Sequence, residues 1–338
     1  MLDRNLACKL YFDMLRIRMM EEKLTELYQS GLANAPVHLS IGQEAVAVGI
    51  MAALEPQDKI VSTHRCHAHY FAKGGDSKKM MAEIFGKATG CCRGKGGSMH
   101  LFDDKAGHVI SVPIVGASIP MAVGLALSFK LMRENKIAVA FFGDGAVEEG
   151  IFWESLNFAV VHRLPVLFVC ENNLYATHSP ILTRQPREEI APRVQPHLFD
   201  ASDAYRISDA NDVIWVKNVA EKATEKVRKG QPCFIEACTY RWREHWGVGE
   251  DWHLGYRSRE EGEKWIVKCP LKYLRRILKE MYLQLCDQVE VDEQDFLITD
   301  NKINEWTLLI EKEIDEAVRF AINSPAPSPE ELISEVRG

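Results

Sequence analysis

Two polar residues, Asp144 and Asn173, each follow a short apolar run, Asp144 in a Gly-Asp-Gly turn and Asn173 at the end of Glu-Asn-Asn. Carboxylate and amide oxygens are hard ligands of the kind that Mg²⁺ takes, usually together with phosphate oxygens and water. The glycines beside Asp144 allow a sharp turn, and the N-terminus of a following helix favours a negative diphosphate. Each motif alone could be only a turn. The pair together predicts a Mg²⁺ site that holds a diphosphate ester.

The elements around these residues must bring them together. Residues 137–142 and 165–170 are apolar throughout and predict buried strands, and residues 147–162 between them predict a helix. This strand–helix–strand order is typical of a parallel sheet that is covered on both faces. Asp144 and Asn173 would then follow the carboxyl ends of two strands, the edge where open α/β sheets bind ligands.

Helices are predicted on either side of this unit. One over residues 6–30 opens the chain, and others are expected at 43–53 and at 77–88, the latter with Ser77 as its N-cap. A helical region from about 260 to 323 closes it. The expected fold class is α/β, a mainly parallel sheet with helices on both faces and a helical C-terminal region. We expect one domain over the whole chain of 338 residues.

Two loops bear on the predicted site. A strand at 233–240 would join the sheet and bring residues 241–255 to the same edge. Residues 90–98 hold four glycines, so that their backbone can approach another group closely. The pair Cys91 and Cys92 within this loop could suggest a redox or metal role, but no second ligand pair stands nearby.

The composition excludes several classes of partner. The net charge is −7 and the Lys and Arg residues are scattered between acids, which argues against nucleic-acid binding. Nine cysteines without metal-type spacing predict reduced thiols. Residues 107–129 carry no charged side chain, but their prolines and glycines predict a buried element and no membrane span. The N-terminus lacks the pattern of a targeting peptide, so we expect a cytoplasmic protein.

The motif and four further segments resemble known proteins. Asp144, Asn173 and the pattern between them resemble the thiamine-diphosphate motif of transketolases, decarboxylases and 2-oxo acid dehydrogenases. Across nearly the whole chain, the order of segments is similar to that of the alpha subunit of pyruvate, branched-chain 2-oxo acid and acetoin dehydrogenases. The segments are HLSIGQEA at 38–45, GKGGSMH at 94–100, IVGA at 114–117 and ENN at 171–173. The resemblance implies a thiamine-diphosphate-binding fold with thiamine diphosphate and Mg²⁺ as cofactors.

The same resemblance implies a set of site residues. The Mg²⁺ ligands it implies are Asp144, Asn173 and the backbone carbonyl of Tyr175. The residues that it places around the cofactor are His64, Arg65, Gly145 and Ala146 at the diphosphate and the backbone of Val115 at the aminopyrimidine ring. His64 departs from the family, which usually has an aromatic residue there.

Histidines at the strand ends could carry protons near neutral pH. The resemblance places His38 on the substrate side, His67 near the cofactor and His245 in the family's mobile loop, and we expect all three to be catalytic. His245 is also expected to contact the cofactor. A structural role remains open for some of the histidines, above all for His69 and His100.

The mobile loop departs from the family pattern at two positions. Arg243 and Trp246 stand where the family has a second histidine and a phosphorylatable serine. Phosphorylation of that serine is therefore not available to this chain. The two residues are expected to reshape the substrate pocket.

The function implied by the resemblance is that of an alpha subunit that decarboxylates or cleaves a 2-oxo acid or acetoin and passes the acyl group to lipoamide. A beta subunit, in an alpha2-beta2 heterotetramer, would supply the glutamate that activates the aminopyrimidine, and Glu44 is interpreted as structural. A lipoyl-bearing acyltransferase is the second expected partner. Two alternatives stay open: a non-oxidative carboligase or sugar-modifying enzyme subunit, and a cofactor-binding scaffold that has lost catalysis.

Overall fold

A six-stranded parallel sheet lies at the centre of the structure, a computed structural model that describes residues 3–33, 35–286 and 297–330. The strands stand in the order β2-β1-β3-β4-β8-β7, and every neighbouring pair is parallel. Their bounds are Lys59–Thr63 (β1), His108–Val112 (β2), Ala138–Gly143 (β3), Val166–Asn172 (β4), Ala204–Ile207 (β7) and Cys233–Cys238 (β8). A small antiparallel hairpin pairs Tyr175–Ala176 (β5) with Ser179–Pro180 (β6).

Helices surround this sheet and form the C-terminal region. In chain order they are Arg4–Gln29 (α1), Glu44–Met51 (α2), His67–Ala72 (α3), Ser77–Ile84 (α4), Ser118–Met132 (α5), Gly150–Val161 (α6), Ile181–Arg184 (α7), Ala191–Val194 (α8), Val213–Arg228 (α9), Arg259–Val267 (α10), Pro270–Cys286 (α11) and Asp300–Asn323 (α12). The α/β class with a helical C-terminal region is therefore confirmed.

The central strands are buried on both faces, as their continuous apolar sequence predicted. Along β3, Ala138, Ala140 and Phe142 pack in the core formed with α5 and α6. Val139 and Phe141 point the other way, into the core formed with α2 and α9. Since side chains alternate along a strand, an apolar residue at every position is what two covered faces require.

The strand–helix–strand unit differs from its prediction at the two turns. A 3₁₀ turn occupies Asp144–Glu148, so α6 begins only at Gly150. Strand β4 continues to Asn172 because its polar end stays paired with β8. In the uncharged stretch 107–129, β2 is followed by the start of α5. Among the described residues no helix is both long and apolar enough to cross a membrane.

The N-cap predicted for α4 is wrong by one residue. Asp76 has the extended backbone of a cap, and its carboxylate accepts hydrogen bonds from the backbone N–H groups of Lys78 and Lys79. Ser77 is the first helical residue. An aspartate before a helix offers the same acceptor as a serine, and here the carboxylate is the one in place.

The glycine-rich loop at 90–98 closes around a side chain of the protein itself. The buried Glu83 carboxylate accepts hydrogen bonds from the backbone N–H groups of Cys92, Gly94, Gly96 and Gly97 at 2.7–3.1 Å. The group that the loop backbone approaches is thus Glu83. The eight cysteines from Cys8 to Cys269 are free thiols.

Replacing Glu83 with alanine is expected to destabilise the fold strongly. Each buried donor left without an acceptor costs about 1–3 kcal/mol, so we expect a loss of at least about 3 kcal/mol in the free energy of unfolding. Urea denaturation measures it. Glu225→Ala, at an exposed position of α9, is the control and should change stability by less than about 0.5 kcal/mol. Equal stability of both variants would contradict this account of the loop.

Candidate active site

A cavity of about 200 Å³ opens at the carboxyl edge of the sheet. Its walls come from the segments that follow β1, β2, β3 and β4. Because β2 lies on one side of β1 and β3 on the other, the chain changes direction across the sheet here, which is where open α/β sheets bind ligands. The predicted site residues that line it are His38, His64, Arg65, Val115, Asp144, Gly145, Ala146, Asn173, Tyr175 and His245.

The predicted metal ligands follow two paired strands. Gly143 of β3 pairs with Glu171 of β4, so Asp144 and Asn173 leave the sheet at the same edge. Asp144 is buried. The Asn173 amide nitrogen donates to Oε1 of Gln43 at 3.1 Å, and its oxygen accepts from the Tyr175 N–H at 3.3 Å. A carboxylate and an amide oxygen form a donor set that fits Mg²⁺.

A cation already faces the predicted metal ligand. Arg184 of α7 forms ion pairs with Asp144 and with Glu148. Burial raises the pKa of Asp144, whereas Arg184 acts in the opposite direction. A second positive group near Asp144, such as Mg²⁺, would likewise favour its ionised form.

Gly145 can only be a glycine. A Cβ at this position would lie 2.7 Å from Cβ of Ala176, closer than carbon atoms approach. The absence of a side chain lets the turn after β3 pack against the β5 strand while both line the cavity. This close approach explains why the second position after Gly143 in the Gly-Asp-Gly motif is a glycine.

Three histidines form one cluster in the cavity wall. The ring centroids of His38 and His64 lie 4.7 Å apart, and those of His245 lie 5.2 and 5.4 Å from them. Burial, and then the positive charge of Arg65, lowers the pKa of His38 and of His245 to about 2 and that of His64 to about 3. All three rings are therefore neutral near pH 7 and can accept hydrogen bonds.

Arg65 holds the segments that carry these rings. Its guanidinium donates to the backbone carbonyl of Leu39 at 2.5 Å and to that of His245 at 3.1 Å. The N–H of Gly247 donates to the carbonyl of Val37 at 2.7 Å. The backbones around positions 38, 65 and 245 are thus tied together within the protein.

The structure does not support the catalytic role predicted for His67. This ring is buried outside the cavity wall. Its Nδ1 lies 3.1 Å from Oε1 of Glu21 and its Nε2 lies 2.7 Å from Oγ of Ser98, so both nitrogens are engaged within the fold. His67 holds neighbouring segments in place.

The other doubtful groups are also held inside the fold. His69 contacts Oγ of Ser62 at 2.7 Å and stands 3.4 Å from Oε1 of Glu171, a cavity residue. His100 bonds a backbone carbonyl of its own loop. Glu44 is fully buried and pairs with Arg18 at 2.5 Å, which agrees with the structural role expected for it.

The two unusual loop residues do not reach the cavity. Neither Arg243 nor Trp246 lines it, and the Trp246 side chain is exposed. The Arg243 carbonyl accepts hydrogen bonds from Arg241 and Arg257, two buried cations that share Asp251. The expected reshaping of the pocket by these two residues is therefore not supported.

Several cavity residues had no role in the sequence prediction. Gln43, Thr63, Glu171 and Thr177 line the cavity, and Arg184 contacts Asp144 from outside the motif. Gln43 and Glu171 belong to segments that carried the resemblance, which is the signal that could have singled them out. No local pattern marks Arg184, since its contact depends on the turn formed by the β5–β6 hairpin.

Comparisons with known proteins agree over nearly the full length. The family model described as the dehydrogenase E1 component matches residues 12–330. The alpha subunit of acetoin:2,6-dichlorophenolindophenol oxidoreductase from Bacillus subtilis is 38% identical over 331 residues, which cover 98% of this chain and 93% of that protein. The pyruvate dehydrogenase E1 alpha subunit of Porphyra purpurea is 35% identical, with 96% and 90% covered. That of Zymomonas mobilis is also 35% identical, with 99% and 89% covered.

Proposed function

Because this chain belongs to the dehydrogenase E1 component family, as an alpha subunit of a thiamine-diphosphate-dependent 2-oxo acid or acetoin dehydrogenase, we propose that its substrate is a neutral hydroxyketone of the acetoin class. The observation that carries the proposal is the cluster of neutral histidines, His38, His64 and His245, in the cavity wall. The relatives are named as oxidoreductase or dehydrogenase subunits, which does not favour a non-oxidative carboligase or an inactive scaffold.

The residues that follow β3 and β4 in the cavity wall fit the cofactor. Asp144, Asn173 and the carbonyl of Tyr175 would hold Mg²⁺, and Arg65 with the Gly145 and Ala146 N–H groups would hold the diphosphate. The hard oxygen donors and the turn that admits only Gly145 support this placement. When bound, thiamine diphosphate supplies a carbon nucleophile and an electron sink for the bond cleavage.

The charges around the cavity support a neutral substrate. Among the described residues that line it, Arg65 is the one permanent cation, whereas Asp144 and Glu171 are acids. Arg65 donates to two backbone carbonyls and is assigned to the diphosphate. A 2-oxo acid would bring a carboxylate to the histidine cluster. Among the described residues that line the cavity, no lysine or further arginine is present to pair with that carboxylate.

The neutral imidazoles also suit the proton transfer that a hydroxyketone needs. Cleavage of the bond between the carbonyl carbon and the carbinol carbon releases the carbinol half as an aldehyde. The hydroxyl proton must leave in this step, and a ring of His38, His64 or His245 is its proposed acceptor, because the negative diphosphate of the cofactor would raise the low pKa of these rings towards its ordinary value. Decarboxylation of a 2-oxo acid releases CO₂ and has no such hydroxyl proton to remove.

The test is a comparison of substrates on the enzyme assembled with its cognate beta subunit. We expect kcat/KM for acetoin to exceed that for pyruvate and for branched-chain 2-oxo acids by at least about 10-fold, equivalent to about 1.4 kcal/mol in the barrier. Reduction of an artificial electron acceptor reports all the reactions in one assay. A preference for a 2-oxo acid would refute the hydroxyketone proposal and leave the family membership intact.

Replacing His245 with alanine is expected to lower turnover by about 10²- to 10⁴-fold, the usual contribution of a positioned proton carrier. Affinity for thiamine diphosphate should change much less. Steady-state kinetics and calorimetry separate the two effects. His253→Ala is the control, because His253 is exposed and does not line the cavity. A loss confined to cofactor affinity would make His245 a binding residue.

An exposed apolar surface beside the cavity supports a beta-subunit partner. Ile114 and Val115 at the cavity are exposed, and helices α5 and α6, which pack side by side, add further large apolar side chains. These are Met121, Leu131, Met132, Ile151, Phe158 and Val161. Apolar side chains grouped beside a ligand site mark a protein interface. We propose that the beta subunit covers this surface in an alpha2-beta2 heterotetramer, and that a lipoyl-bearing acyltransferase accepts the acyl group.

A further inference from the structure

The histidine cluster has a ligand chemistry of its own. We propose that His38, His64 and His245 form a binding site for Zn²⁺ or a similar divalent d-block ion, with ligands other than those proposed for Mg²⁺. One ring nitrogen from each residue can be chosen so that all three lie within 4.8 Å of one another. Nδ1 of His38 is buried and has no hydrogen-bond partner among the described residues.

The distances allow a metal ion after small side-chain movements. Zinc–nitrogen bonds of about 2.0–2.1 Å in tetrahedral geometry put two ligand nitrogens roughly 3.4 Å apart. Since the three ligand atoms lie within 4.8 Å of one another, no separation has to shorten by more than about 1.4 Å for a metal ion to bind. Three protein ligands with a water in the fourth position are the usual arrangement of an open zinc site.

The scaffold of the cluster is already formed. The three ligands come from three segments, and Arg65 joins two of their backbones through the carbonyls of Leu39 and His245. Residues 38 and 247 form a backbone bridge. A site whose backbone is fixed loses less conformational entropy when a metal binds. Arg65 is the positive charge that opposes the ion, but its guanidinium is turned towards these carbonyls.

The two sets of candidate ligands in the cavity prefer different ions. Mg²⁺ prefers oxygen ligands such as Asp144 and Asn173, whereas imidazole suits Zn²⁺ and its neighbours in the d-block. An ion bound to the three histidines would occupy the space proposed for the substrate. It would also take up the ring-nitrogen lone pairs that are proposed to accept the hydroxyl proton. The inhibition expected from this rests on the proposed function, but the binding does not.

The test is calorimetric titration of the tag-free full chain with Zn²⁺ in the presence of excess Mg²⁺. We expect one site in the wild-type chain. In His64→Phe the affinity should fall more than about 10-fold, because loss of an outer-shell partner alone costs about 10- to 100-fold and this variant loses a direct ligand. The family usually carries an aromatic residue at position 64, so this variant should fold, and circular dichroism checks that it does.

Two further variants locate the ion. His245→Gln should weaken binding like His64→Phe, whereas the exposed-histidine control His253→Ala should not. Cys92→Ser tests the second group of candidate ligands, Glu83, Cys91 and Cys92, and should leave the affinity unchanged. Loss of binding in Cys92→Ser with none in His64→Phe would place the ion at the cysteine pair and overturn the proposal. Undiminished affinity in folded His64→Phe and His245→Gln would also overturn it.

Replacing Zn²⁺ with Co²⁺ gives a readout that does not depend on turnover. Tetrahedral Co²⁺ bound by nitrogen ligands absorbs in the visible range, and we expect this band in the wild-type chain and in Cys92→Ser. It should be absent from His64→Phe. A band of equal strength in His64→Phe would count against the histidine site, whatever substrate the enzyme proves to use.

Discussion

In calorimetric titrations with thiamine diphosphate and Mg²⁺, the Asp144→Ala and Asn173→Ala variants are expected to lose Mg²⁺-dependent cofactor binding. Each substitution removes a hard-oxygen ligand at the end of a central strand. Loss of an outer-shell partner already costs about 10- to 100-fold in metal affinity, so loss of a direct ligand should cost more.

The two variants differ in what they leave behind. In Asp144→Ala, Arg184 loses an ion-pair partner beside the diphosphate site, so some metal-independent attraction for the diphosphate can remain. In Asn173→Ala, Oε1 of Gln43 loses the hydrogen bond that the Asn173 amide nitrogen donates to it, but the net charge of the site stays the same. The residual affinity of Asp144→Ala should therefore depend on ionic strength, whereas that of Asn173→Ala should depend on it less.

Matched controls separate ligand loss from general damage. Asp104→Ala and Asn218→Ala replace the same residue types at exposed positions outside the cavity, and both should bind the cofactor like the wild-type chain. Thermal unfolding without cofactor shows whether each variant folds. Unchanged Mg²⁺-dependent affinity in both Asp144→Ala and Asn173→Ala would remove the metal assignment.

The purified chain alone is expected to show no turnover, and addition of its cognate beta subunit should restore it. The carboxylates among the described residues that line the cavity are Asp144 and Glu171. Asp144 is paired with Arg184, and Glu171 lies 3.4 Å from His69. Both are thus engaged within this chain, and we propose that the activating carboxylate comes from the beta subunit.

A homodimer could replace the beta subunit only if another acid of this chain reached a neighbouring cavity. Glu44, which the sequence analysis interprets as structural, is fully buried and paired with Arg18, so it is not such an acid. The exposed apolar side chains of α5 and α6 form the surface that we propose the beta subunit covers.

The measurement is turnover of acetoin and of 2-oxo acids with an artificial electron acceptor, by this chain alone and after titration with the beta subunit. Activity should rise until the two chains are equimolar. Leu131→Glu, at an exposed position of α5, should weaken the reconstitution, whereas Leu308→Glu, exposed on α12 and remote from this surface in sequence, should not. Full activity of this chain by itself would refute the two-chain requirement.

The sequence determined the elements whose patterns are local. The strands β3 and β4 and the helix between them follow from apolar runs, turn glycines and length, and they place Asp144 and Asn173 at one edge of the sheet. The strands β1, β2 and β7 were missed, because short strands with polar or half-exposed positions, such as Lys59–Thr63, carry no clear period. The terminal helices α1 and α12 were predicted because long apolar stripes repeat along them.

The residue types at the site, and through resemblance most of their roles, could also be taken from the sequence. The tertiary structure decided which of them meet. His38, His64 and His245 are far apart in the chain, and the hydrogen bonds of Arg65 to two backbone carbonyls bring their segments together. His67 is only three residues from His64, yet it begins a helix that turns it towards Glu21 and Ser98. A periodic pattern records which face of an element is buried, whereas the partner it meets depends on crossovers and side-chain contacts that no local pattern contains.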